Sequence, residues 1–96
     1  MKYNLFLDPR AIDDIQSAID YYNDQSNGLG EKFEKHLNTY ILSISKNPFF
    51  QVRYDNVHCL PMKKYPFMIH FTIENESIYI HAVLHTKLNP KKNWIK

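Results

Sequence analysis

The stretch from Phe67 to His85 constrains this chain more than any other. Phe67, Ile69, Phe71 and Ile73 alternate with Met68, His70, Thr72 and Glu74. After the polar turn Glu74 to Ser77, Ile78, Ile80, Ala82 and Leu84 alternate with Tyr79, His81, Val83 and His85. A period of two on both sides of a short polar turn predicts a β-hairpin. Each strand has one strongly apolar face and one mixed face, which suits an antiparallel sheet covered by helices on one side. A turn centred on Asn75-Glu76 sets Pro66 opposite His85 and His70 opposite His81.

The rest of the chain supplies those helices. Residues 2–7 alternate, with Tyr3, Leu5 and Leu7 on one face, and read as a short first strand. Asp8-Pro9 starts a helix: the carboxylate accepts from orphan N–H groups and proline fits the first helical position. Its apolar stripe is Ile12, Ile15, Ile19 and Tyr22, flanked by Ala11 and Ala18. Asp13, Asp14, Asp20 and Asp24 are expected on its solvent side. Asn23 to Asn27 and Gly28 break it. A second helix runs from near Leu29 to about Lys46, with the stripe Leu29, Phe33, Leu37, Tyr40, Ile41 and Ile44. Asn47-Pro48 stops it, because a residue before proline avoids helical geometry. An antiparallel helical hairpin follows. Residues 49–56 read as loop, and Val57 to Met62 as a strand with Pro61 at an edge or strand end. The expected architecture is α+β, in the order β-α-α-β-β-β, within one domain spanning residues 1–96.

Net charge is +2, but it is unevenly placed. Residues 1–48 carry a balance of −2 and residues 49–96 one of +4. A basic half points to an anionic partner or to an uneven solvated surface. Cys59 is the only cysteine, so no internal disulfide forms. No apolar run approaches the ~20 residues needed to cross a bilayer. Met1 to Asp8 shows no signal pattern. A cytoplasmic protein without membrane contact is the expectation.

Six short pieces, taken in order, carry a family likeness. They are I-D-Y-Y at 19–22, L-G-E-K-F at 29–33, K-N-P at 46–48, K-Y-P-F at 64–67, A-V-L-H at 82–85 and P-K-K-N-W at 90–94. With these the chain resembles the RelE/ParE toxins of bacterial type II toxin–antitoxin systems, also known from plasmid stabilisation. The resemblance implies a growth-inhibiting toxin neutralised by a cognate antitoxin, with a homodimer or a toxin–antitoxin hetero-oligomer as the assembly. No cofactor is implied. Its ParE-like branch inhibits DNA gyrase by protein binding. Its RelE-like branch cleaves mRNA at the ribosome without a metal. The long helical hairpin and the lack of a tyrosine after Tyr79 lean toward the ParE-like branch. ParE-like chains tend to carry H-x-R-R-x-P where this one has His85-Thr86-Lys87-Leu88-Asn89-Pro90. Lysine lacks arginine's planar fork for phosphate. A third reading, an inactive toxin kept as a binding module, stays open on that ground.

Metal-independent RNA cleavage needs a base, an acid and cations for the developing charge. His85, with an ordinary pKa near ~6.5, can carry a proton or simply cap the strand end. Lys87 follows two residues on, and Lys63 and Lys64 precede the paired strand, so all four can gather at one sheet end. Lys91, Lys92 and Trp94 extend the candidate target-binding or phosphate-binding set. Trp94 can stack on a base, worth ~1–3 kcal/mol, or anchor a tail to the core. The lysines have a plainer reading as a solvated face. His70, His81 and His85 on the mixed face invite a zinc reading, but a packed histidine pair is expected instead.

Overall fold

The computed structural model describes residues 3–48, 52–54 and 56–86. Five strands and two helices follow one another as β1 (Asn4–Leu7), α1 (Pro9–Gln25), α2 (Leu29–Lys46), β2 (Val52–Tyr54), β3 (Val57–Pro61), β4 (Phe67–Glu74) and β5 (Ser77–His85). The strands form one sheet in the order β1-β5-β4-β3-β2. The expected β-α-α-β-β-β order holds, with β2 added inside the stretch 49–56 that reads as loop. Three residues are too few to show a period, and β2 exists through its pairing with β3.

The sheet is mixed rather than wholly antiparallel. β1 lies parallel to β5, with Leu5 beside Ile78 and Leu7 beside Ile80. The other neighbours are antiparallel. Parallel partners need a long connection between them, and here the helical hairpin and the following strands provide it. Asp8 N–H continues the β1 ladder to the Ile80 carbonyl at 2.9 Å.

Local chemistry explains the helix ends. Asp8 Oδ1 accepts from Arg10 N–H at 3.0 Å, and Pro9 occupies the first turn. Gly28, at φ +85°, takes the left-handed conformation at the entry to α2. Gly30 donates its N–H to Asn23 Oδ1 at 2.8 Å. A Cβ there would strike the Ile19 carbonyl oxygen and the Asn23 side chain, so Gly30 lets α1 and α2 approach closely. Lys46 sits in the last turn of α2, where a cation suits the helix dipole.

The core lies between the hairpin and one face of the sheet. Phe33, Leu37 and Ile44 from α2 and Ala11 and Ala18 from α1 meet Ile69, Phe71, Ile78 and Ile80. Burying each large side chain stabilises the fold by roughly 1.5–3 kcal/mol. Tyr3, Leu5 and Leu7 pack on this core, while Phe6, on the other face of β1, stacks on Tyr79 at 5.3 Å. Ile12 departs from the expected stripe and is exposed. Among the described residues no helix is long and apolar enough to cross a membrane.

Candidate functional site

The site is set by an irregularity in β5. From Glu74–Ser77 to Phe71–Ile80 the hairpin pairs as its turn dictates. The register then shifts by one residue, so His70 pairs with Ala82 and Phe67 with His85. His81 is the extra residue of a β-bulge. Pro66 is therefore not opposite His85, and His70 is not opposite His81. The bulge also reverses the faces beyond it: Ile78, Ile80 and then Val83 join the helix-side core. His85, two residues beyond Val83, consequently faces α1.

α1 holds the bulged strand in place. Val83 N–H donates to Asp14 Oδ2 at 3.1 Å. Burial pushes the Asp14 carboxyl up from its ordinary value, while the Val83 N–H and the Arg10 charge pull against that rise. Asp14 is thus not one of the solvating acids of α1, as its type suggests. It is a strand anchor. Asp14→Ala is expected to cost about 1–3 kcal/mol, the penalty for stranding a buried N–H. Asp14→Asn, which keeps an acceptor, is expected to cost less; urea midpoints at neutral pH compare the two.

The strand end opens into an aromatic cleft. Tyr21, Tyr22, Pro66, Phe67 and His85 line a space of about 310 Å³. A shallower hollow of about 210 Å³ adjoins it, walled by Asp14, Ser17, Ala18 and Val83. The His85 ring meets Phe67 edge to face with centroids 5.5 Å apart. Tyr21 is 57% exposed and meets Tyr22 edge-on at 5.2 Å. Burial is the main cause raising the Tyr22 phenol above its ordinary value, so its hydroxyl stays protonated. Thr86 N–H closes the strand end on the Pro66 carbonyl at 2.9 Å. An open cleft with aromatic walls and few polar groups is suited to gripping an apolar or aromatic side chain of a partner.

The candidate cations are distributed differently. Lys63 N–H donates to Tyr40 Oη on α2 at 2.9 Å. Lys64 lines a second groove with Lys32, Lys35, His36, Thr39 and Tyr65, away from the His85 cleft. Lys87, Lys91, Lys92 and Trp94 lie outside the described residues. The other histidines are separated by their partners. His70 is 3% exposed, with Nδ1 3.2 Å from Cys59 Sγ. His81 Nε2 lies 2.8 Å from Thr72 Oγ1, and its Nδ1 is 3.8 Å from Asp8 Oδ2. Among the described residues no three His, Cys, Asp or Glu side chains are grouped to hold a metal.

The cleft residues Asp14, Tyr21 and Tyr22 are not among the sequence candidates. Their signal was present, since Asp14, Ala18, Tyr21 and Tyr22 follow the i, i+4, i+7, i+8 spacing of one helical face.

No protein-family model matches the chain, and no curated protein matches it in sequence. Solved structures do match its fold. A chain of the chromosomal ParDE TA system from P. aeruginosa superposes with a TM-score of 0.80 at 15% identity, covering 88% of this chain and 96% of that one. A chain of the intact E. coli RelBE toxin–antitoxin complex superposes with a TM-score of 0.67 at 13% identity, covering 90% and 99%. The helical hairpin on a sheet whose strand β5 ends in His85 is therefore a RelE/ParE-like fold.

Proposed function

We propose that this chain is the toxin of a type II toxin–antitoxin system, acting by binding DNA gyrase and held inactive by a cognate antitoxin. The observation that carries this reading is the better superposition on the ParDE chain than on the RelBE chain. The cleft supports it: His85 is engaged with an aromatic ring, and the walls around it are mostly apolar. Such a surface favours recognition of a protein over cleavage of a phosphodiester. Antitoxin binding is the partner chemistry that both superposed systems suggest.

Induction without an antitoxin is expected to stop growth, which separates a live toxin from an inactive binding module. Purified chain is expected to inhibit gyrase supercoiling, and Tyr21→Ala is expected to weaken inhibition at least tenfold. Undiminished supercoiling at excess toxin would sink the reading. The second reading is a metal-independent mRNA endonuclease using His85 and Lys87, without the clamps expected of Lys63 and Lys64, which lie toward α2 instead. The position of His85 at an open strand end favours it. It requires mRNA cutting in a translating extract that is lost in His85→Ala.

A further inference from the structure

The groove between α2 and the β3–β4 connection is chemically unlike the His85 cleft. Lys32, Lys35, His36 and Thr39 fall at i, i+3, i+4 and i+7, one face of α2. Lys64 and Tyr65 close the other wall, around a space of about 310 Å³. Three lysines from two separate elements therefore line one hollow, all of them exposed.

The acids of α2 do not neutralise them. Glu31 accepts from Asn23 at 3.3 Å, and Glu34 lines the groove shared with α1 on the helix's other flank. Among the described residues none of the three lysines has a carboxylate within ion-pair distance. Behind them His36 meets Tyr40 and Tyr65 edge-on, with centroids 5.3 and 5.6 Å apart. Among the described residues His36 Nε2 is buried without a hydrogen-bond partner. Three uncompensated cations around one hollow mark a place where negative charge is favoured.

We propose that Lys32, Lys35 and Lys64 form a groove for the phosphate backbone of a polynucleotide, separate from the His85 cleft and independent of the gyrase reading. Lysine binds phosphate as a point charge without base selectivity. The groove is open, and its charges are spread along a helix face and across to a loop. That matches a chain of phosphates better than one enclosed phosphate, which proteins hold with converging backbone N–H groups.

Fluorescence anisotropy of the full chain with a labelled ~20 bp duplex tests this through the salt dependence, since each phosphate contact contributes about 0.9 to the slope of log K against log salt. The triple variant K32Q/K35Q/K64Q is expected to bind at least tenfold more weakly at about 50 mM salt, with a slope smaller by about 2.7. K46Q, at the exposed end of the same helix, is expected to change neither by more than a small fraction of that. An unchanged slope in the triple variant overturns the proposal, as does an equal loss per residue in K46Q. Single-stranded RNA of the same length should show the same lysine dependence. Inorganic phosphate binding as tightly as the duplex would overturn the proposal and assign the groove to a single free phosphate group. A polyglutamate peptide binding more tightly than either nucleic acid would assign it to an acidic protein segment. Circular dichroism melts of all variants separate loss of binding from loss of fold.

Discussion

Phe33→Ala is expected to lower stability by about 3–5 kcal/mol, the usual cost of emptying a buried phenylalanine site. Phe33 has no exposed surface and is among the largest fully buried side chains. Its ring lies 5.2 Å from Tyr22, 5.1 Å from Tyr65 and 5.4 Å from Phe67. Those three rings belong to α1, to the β3–β4 connection and to the start of β4, so one side chain on α2 joins three parts of the fold. Domains of this kind are stable by only about 5–15 kcal/mol in total, so the variant should be close to unfolding. Urea denaturation should show a lower midpoint with an unchanged slope. Phe33→Leu keeps most of the apolar volume and loses mainly the ring contacts, worth about 0.5–1.5 kcal/mol each. It should therefore stay folded and permit a functional reading. Tyr22 and Phe67 wall the His85 cleft, so loosening their shared neighbour should weaken target binding in the leucine variant. A loss below about 1 kcal/mol in Phe33→Ala would mean that the cluster repacks without it.

The hairpin and both helices were legible because local rules punctuate them sharply. Gly28 and Asn47-Pro48 bracket α2 on both sides, and Asp8-Pro9 opens α1. The alternation of β4 and the first half of β5 fixes their faces. The bulge at His81 was hidden because Ala82, Val83 and Leu84 are all apolar, so a one-residue change of phase leaves no mark in the pattern. Pairing between β1 and β5 was equally silent, since alternation assigns faces but not neighbours. Asp14 was misplaced by its type: an acid on a helix is usually solvated, and only the bulge creates the N–H that draws it inward. The candidate site was legible at His85 but not in its setting. Its aromatic walls come from α1 and the β4 entry, which meet only in three dimensions. Lys64 turns toward α2, where its neighbours Lys32 and Lys35 read in sequence as ordinary surface charge.

Acidification should destabilise the fold by about 3 kcal/mol through His70 alone, between pH 6.5 and about 4. Burial lowers the His70 pKa from 6.5 to about 4, because its imidazole is enclosed on the sheet face turned away from the helices. The unfolded chain therefore takes up this proton at a higher pH than the folded one. The contribution is fully present above pH 6.5 and is lost as pH falls toward 4. Protonation would also turn both ring nitrogens into donors, with Cys59 Sγ only 3.2 Å from Nδ1. Asp14 acts with the opposite sign. Its folded carboxyl is raised above 3.8, so the stability tied to its neutral form is present below that value and lost as pH rises through the folded pKa. Toward the acid end of the window the two groups therefore partly offset, and the net slope should be shallower than His70 alone would give. Urea unfolding at a series of pH values resolves this. His70→Leu should flatten the profile between pH 6.5 and 4, and Asp14→Asn should steepen its acid end. A His70→Leu profile parallel to that of the unmodified chain would show that the acid sensitivity arises elsewhere.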